Sequence, residues 1–374
     1  MANESRPVVL VVDDHPDDGR PEMDEWRRVF SVTICHPQDV RQDHLVAADV
    51  IVVDYVIENW DERERASSIA LRPINGLALT AVLRQQTESI ESRLRAFVLR
   101  SGHLAKLSGG FPPQPRGHIL AAAHDLEWAV PKGERATDIV RQIDSLALAV
   151  RLLPGKWPVD DFEATRGLVE RLLALPNSVR WSGQAWNDIQ NAHAPIHSPL
   201  DDLTQSRVFL RWLLHRIFPY PCFLWDSERL ALRLRVRHQS LQRNLEGLRA
   251  ALAESEYSGC LKNFLGLRWW RSGIEALLWD LTKGEPTNPD ATREALNKKF
   301  GVELQPLTLK NPVICFDENI QPLAEPCDAD GSVRIEPDDW PAFADQAWTS
   351  RKLAKEHPSL GALVPQPDRE YLET

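Results

Sequence analysis

The chain has little cysteine and arranges it without pattern. Among 374 residues there are five: Cys35, Cys222, Cys260, Cys315 and Cys327. No two form a CxxC pair and the number is odd, which argues against a disulfide framework or a zinc site and for reduced thiols in a cytoplasm. No apolar run approaches the ~18 residues of a membrane span, and no basic-then-apolar leader opens the chain. A cytoplasmic location without membrane attachment is therefore expected. Excess positive charge is also missing. The formal net charge of -10 argues against broad, non-specific affinity for nucleic acid or anionic membrane. There is no P-loop, no HExxH and no defensible Ser-His-Asp order. Repeats and low-complexity segments are absent. His193 and His197 have an i, i+4 spacing, but Pro195 and Pro199 interrupt any helix there and no third ligand is evident.

What is present is a soluble-protein composition, 43% hydrophobic and 26% charged, on a chain long enough for two cores. Most of the 13 tryptophans lie after residue 150, so the two halves differ in character. The first half alternates short apolar runs with helical spacing. Val8 to Val12, Ser31 to His36, Ala48 to Asp54, Arg95 to Arg100 and Leu126 to Val130 read as strands. Glu22 to Phe30, Gly76 to Gln86, His118 to His124 and Ala136 to Leu153 read as helices. The alternation predicts an α/β domain with a doubly wound, five-stranded parallel sheet.

The chemistry gathers at strand ends. Val8 to Val12 runs into Asp13-Asp14, and the run through Val53 ends in Asp54. Open α/β sheets place their sites at the carboxyl ends of strands. If the two strands are neighbours, three carboxylates meet there, a hard-oxygen set suited to a divalent ion such as magnesium. The fourth strand is followed by Ser101-Gly102 and the fifth by Pro131-Lys132.

An acidic pair, a lone Asp, a hydroxyl and a Lys, each just past a strand, resemble the receiver domain of two-component response regulators (CheY-like, flavodoxin-like). The resemblance covers roughly residues 6–153. It implies that Asp54 is the phosphoacceptor, taking a phosphoryl group from a histidine kinase or phosphotransfer protein. It implies magnesium held by Asp13, Asp14 and Asp54, with the backbone carbonyl of Val56 completing the protein ligands. Ser101 would bond a phosphoryl oxygen, Gly102 would leave room for the group, and Lys132 would pair with it. The sequence departs from the family at Glu58, where a proline is usual, at Pro131-Lys132, where the order is normally reversed, and at Ala129, where an aromatic is common.

The break Pro154 to Pro158 separates this domain, residues 1–153, from a mostly α-helical output domain over 154–357 with a small β element, and 358–374 reads as a tail. Helices are expected over Asp160 to Leu175, Leu203 to Phe218, Glu228 to Ala253, Ser258 to Lys283, Asp290 to Phe300 and Trp340 to Lys355. Pro176 to Leu200 reads as looser. A small sheet is expected from Val313 to Phe316, Gln321 to Ala324 and Val333 to Ile335, with a tight turn at Asp328 to Gly331. The arginines of the third helix share one face and fit a solvated surface. Arg268-Trp269-Trp270-Arg271 fits core tryptophans with snorkelling arginines. No catalytic constellation emerges in this half. The reading is a phosphoacceptor switch controlling a protein-interaction or self-association domain. The alternatives are a DNA-binding transcriptional regulator, an unphosphorylated pseudo-receiver scaffold and a receiver-controlled enzyme.

Overall fold

The computed structural model describes residues 6–16, 20–65, 72–90, 93–107, 117–133, 136–158, 160–196, 201–285 and 288–373. His197 and residues 108–116, within the loop expected after the fourth strand, lie outside the described residues.

The first half follows the order β1 (Val8–Val12), α1 (Arg20–Val29), β2 (Ser31–Cys35), α2 (Gln42–Ala47), β3 (Val50–Asp54), α3 (Asp61–Arg65), α4 (Gly76–Ile90), β4 (Ala96–Ser101), α5 (Leu104–Leu107), α6 (Gly117–Ala123), β5 (Trp128–Pro131) and α7 (Ala136–Leu152). The five strands form one sheet in the order β2-β1-β3-β4-β5, parallel throughout. This is the flavodoxin-like order, with its switch point between β1 and β3.

Burial explains why the runs are continuous rather than alternating. Leu10, Val12, Ile51, Val53, Phe97 and Leu99 pack on one face with Leu45 of α2, Leu79 and Leu83 of α4, and Leu120 of α6. The intervening Val9, Val11, Val50, Val52 and Val98 are equally buried, on the opposite face, where α7 meets β3 and β4 and also packs on α1. A sheet covered on both faces has no use for polar alternation. Met23, Trp26 and Phe30 are the buried residues that α1 and its end bring to this side. α2 and α3 are short helices beyond those the sequence pattern marks.

The chain continues through α8 (Phe162–Leu172), α9 (Ser182–Asn191), α10 (Asp202–Trp212) with a π-helical turn at Leu213–Ile217, β6 (Leu224–Trp225), α11 (Ser227–Leu234), α12 (His238–Leu252), β7 (Trp269–Trp270), α13 (Arg271–Leu281), α14 (Pro289–Phe300), β8 (Pro312–Val313), β9 (Cys327–Asp328), β10 (Ser332–Ile335), β11 (Ala347–Ser350), α15 (Arg351–Glu356), α16 (Pro358–Ala362) and α17 (Glu370–Glu373). Backbone contacts divide the whole into two compact units. The first holds residues 1–174, 195–219 and 259–265, and the second 175–194, 220–258 and 266–374. The first unit thus reaches past the Pro154 to Pro158 break and takes in α8 and α10.

Among its described residues the second unit is mostly helical, with three two-stranded antiparallel sheets, β6-β7, β8-β9 and β10-β11. Several expectations need correction here. Pro176 to Leu200 contains α9, whose Ala185, Trp186 and Ile189 are buried. The long helix over Glu228 to Ala253 is two helices. Arg235 takes a left-handed conformation, φ 57°, and the chain is drawn aside by Arg237 N–H bonding the carbonyl of Gln305 and by pairing of Val236 with Pro306. Both halves face one core, through Leu230 and Leu234 and through Leu241, Leu248 and Leu252, so the apolar spacing runs on across the break. Ser258 to Lys283 is helical only from Arg271. Leu261 and Asn263, in the segment that belongs to the first unit, have positive φ, and Trp269-Trp270 is a strand paired with Leu224-Trp225. Of Trp340 to Lys355, Ala347–Ser350 is a strand. The small sheet is two separate ribbons, with a 3-10 turn at Ala329–Gly331 between them. Residues 358–373 are packed rather than free. Leu360 and Val364 are buried in a core with Val333 and Ile335, and Asp368 is bonded at 2.5 Å by both Nε and Nη2 of Arg334.

Among the described residues no helix is long and apolar enough to cross a membrane. All five cysteines are free thiols.

Candidate phosphoryl and cation site

Register brings the sequence-marked residues to one edge of the sheet. Val12 lies opposite Val53, so Asp13 follows β1 beside Asp54 at the end of β3. Asp54 lies opposite Arg100, and Ser101 opposite Pro131, which carries Ser101 and Lys132 to the same edge. Asp13, Asp14 and Asp54 are all buried, and each offers a carboxylate oxygen within 4.8 Å of the others.

Each carboxylate is held differently. Asp13 Oδ1 accepts the N–H of His15 at 2.8 Å. Asp14 Oδ2 accepts the N–H groups of Glu58 and Asn59, at 2.7 and 2.8 Å. The second aspartate of the pair therefore fastens the loop after β3. Asp54 Oδ2 accepts from Lys132 Nζ at 2.9 Å. Lys132 Nζ is also 3.8 Å from Asp13 Oδ2, and Arg100 Nη1 is 3.9 Å from the same oxygen. Asp54 Oδ1 is buried and has no hydrogen-bond partner among the described residues. Burial pushes the Asp54 carboxyl above its ordinary range. The Lys132 hydrogen bond and charge oppose the shift, and the Asp13 charge adds to it.

A cavity of about 290 Å³ opens on this edge, lined by Asp14, His15, Asp54, Val56, Glu58, Gly102, His103 and Lys132. A Cβ at Gly102 would meet nothing nearer than Lys132 Cβ at 3.9 Å. Ser101 is buried and its Oγ accepts the N–H of His103 at 2.9 Å. Glu58 contributes its N–H to Asp14 and lines the cavity. His15 and His103 are lining residues that the strand-end pattern does not mark. His15 directly follows the acidic pair and His103 follows Gly102, and that adjacency is the only signal for them in the sequence.

Gly76 stands against the backbone beneath the site. It opens α4, its N–H bonds the carbonyl of Tyr55 at 2.9 Å, and a Cβ there would fall 1.9 Å from the carbonyl oxygen of Asp54. Only glycine allows α4 to start against the backbone of Asp54.

The donor set suits a small hard cation. It consists of three carboxylates in a buried cluster, one of whose oxygens has no donor among the described residues.

No family model matches the sequence, and no curated protein matches it. Thirteen solved chains match. Among them is the RcsB response regulator of Salmonella typhimurium, described for conformational dynamism in DNA interaction. It is 12% identical, with a TM-score of 0.26, over 66% of this chain and 91% of that one.

Proposed function

We propose that the first unit is a receiver-like signalling module that accepts a phosphoryl group on Asp54. The observation that carries this reading is Asp54 in the lining of a cavity, its Oδ1 buried without a hydrogen-bond partner among the described residues and its Oδ2 held by Lys132 at 2.9 Å. One carboxylate oxygen is left for nucleophilic attack and the other is fixed by a cation. A carboxylate oxygen of Asp54 forms the new P–O bond as the bond to the donor breaks, and the donor leaves with its electron pair. A phosphohistidine of a kinase or phosphotransfer protein is the donor class this chemistry suits.

Asp13, Asp14 and Asp54, with the carbonyl of Val56, would hold magnesium, which supplies neutralisation of phosphoryl charge when bound. Lys132 pairs with the added group as a point charge. Ser101 lies at the same edge and would donate its hydroxyl to a phosphoryl oxygen. Gly102 keeps the approach open. The group adds a charge of about -2 to an edge already crowded with carboxylates, and the second unit is the protein-interaction or assembly element that the change controls. The protein acts as a switch rather than a turnover enzyme.

The experiment is intact-mass and sedimentation analysis after treatment with acetyl phosphate and magnesium, on wild type and Asp54→Asn. One phosphoryl group gained by wild type alone is the expected result. Labelling that persists in the Asn variant would place the acceptor elsewhere, and no labelling of either would leave an unphosphorylated scaffold.

A further inference from the structure

Two cysteines of the second unit are brought together by strand register. β8 and β9 pair antiparallel with Val313 opposite Cys327. Cys315 lies two positions beyond Val313, just past the end of β8. The two thiols are hydrogen-bonded to each other. Cys315 is wholly buried, whereas Cys327 is part-exposed.

Proton accounting separates their roles. Ser332 Oγ lies 3.3 Å from Cys315 Sγ. It donates its one proton to the carbonyl of Asp328 at 2.8 Å, so towards Cys315 it acts only as an acceptor. Cys315 therefore keeps its own proton, and its single S–H is shared between Ser332 Oγ and the sulfur of Cys327. A donor aimed at a sulfur favours its thiolate. The Cys327 thiol accordingly lies at about 7 against an ordinary 9.0, held down by the Cys315 hydrogen bond and opposed by burial. Cys315 is pushed up by the same bond and by burial. The nearest carboxylate in the chain, Asp328, is turned to the N–H groups of Lys310, Asn311 and Asp330. On β10, Arg334 is engaged by Asp368. The other three thiols contrast with Cys327. Burial raises Cys35 and Cys222 to about 11 and Cys260 to about 12.

We propose that Cys327 and Cys315 form a redox-active dithiol, with Cys327 the attacking sulfur and Cys315 the resolving one, oxidised by a low-molecular-weight disulfide such as oxidised glutathione. The Cys327 thiolate attacks one sulfur of the reagent. A mixed disulfide forms, the reagent's S–S bond breaks and one thiol departs with the electron pair and a proton. Cys315 then gives up its proton and attacks the Cys327 sulfur, closing the intramolecular disulfide and releasing the second thiol. Two electrons pass from the protein to the reagent, with one proton from Cys315 and one from solvent. Closure ties β9 to the strand leading from β8 and fixes the segment between them.

The test uses the full chain. Wild type is exposed to oxidised glutathione at pH 7, digested without reduction and mapped by mass spectrometry, and alkylation of Cys327 by iodoacetamide is followed against pH. The expected results are a Cys315–Cys327 linkage in wild type and a glutathione adduct that stops at Cys327 in Cys315→Ser. Alkylation should have its inflection near 7 and run roughly threefold faster at pH 7 than for a free cysteine, since the gain in thiolate outweighs the loss of nucleophilicity. An inflection at about 8.5 or above, a wild-type adduct on Cys327 that never closes, or a different pairing would each overturn the proposal. The wild-type measurements decide the matter even where a variant fails to fold.

Discussion

Lys132 Nζ sits 2.9 Å from Asp54 Oδ2, across 78 positions of sequence. The lysine is partly exposed and the carboxylate is buried. The pair is thus an asymmetric one. The aspartate has lost its water and the lysine supplies the charge that replaces it.

Removing that charge leaves Asp54 beside Asp13 and Asp14 with less compensation. Lys132→Ala should destabilise the metal-free protein at pH 7 by roughly 1–3 kcal/mol. Added magnesium should recover most of the loss. Urea denaturation with and without the ion checks this. A variant as stable as wild type in the absence of metal would show that the pair contributes nothing.

Asp54 itself gives a signed pH effect. Its folded-state value is raised above 3.8 by burial, so the folded state binds the proton more tightly than the unfolded one. Stability falls as pH rises through 3.8 towards the folded value. Asp54→Asn should remove that fall, leaving the metal-free variant more stable than wild type at pH 7 and matched to it below about pH 4. Denaturation in chelator at the two pH values is the measurement.

Gly76→Ala tests the packing under the site. The added carbon would fall 1.9 Å from the Asp54 carbonyl oxygen, so α4 must shift or the strand must yield. A loss of at least about 2 kcal/mol is expected, with weakened labelling by acetyl phosphate. Gly155→Ala, where nothing lies within 4 Å, is the control and should be close to neutral.

His215 provides a second pH-sensitive element in the first unit. Its Nε2 lies 3.0 Å from the carbonyl oxygen of Glu127, and burial lowers its value from 6.5 to about 4. The unfolded chain therefore takes up a proton first. Stability is complete above about pH 6.5 and falls as pH drops towards 4, by up to about 3 kcal/mol. His215→Gln should flatten that part of the profile, and thermal melts between pH 7 and 4.5 would show it.

The buried carboxylate beside it offers a mutational test. Glu127 has no exposed surface. It accepts from Phe97 N–H at 2.7 Å and is flanked by Arg84 and Arg211. Arg211→Ala removes one of two compensating charges. About 2 kcal/mol should be lost, less than the full cost of stranding a buried ion because Arg84 remains.

The sheet was legible in the sequence because both its faces are buried. Runs such as Val50 to Val53 have no polar interruption, and each ends at a residue with chemistry. Asp13, Asp14, Asp54, Ser101 and Lys132 could be picked out from their place after strands, without knowledge of contacts. Gly76 could not, since its role depends on how closely α4 approaches a particular carbonyl. In the second unit the failures share a cause. Leu230, Leu234 and Leu241 keep helical spacing across Arg235 because both helices face one core, and the bond from Arg237 to Gln305 that turns the chain is non-local. Trp269 and Trp270 form a strand only because Leu224 and Trp225 lie opposite. Short ribbons made by distant partners leave little periodicity to read.

Tyr55 is anchored twice. Its N–H bonds the carbonyl of Arg100 and its carbonyl receives the N–H of Gly76, each at 2.9 Å. With α4 against the carbonyl of Asp54, the floor of the site has no slack. Any group joined to the carboxylate must be accommodated from above, by the loop carrying Glu58 and Asn59 and by the turn carrying Gly102 and His103. The anvil is fixed, and whatever moves in response will be the two loops that overhang it.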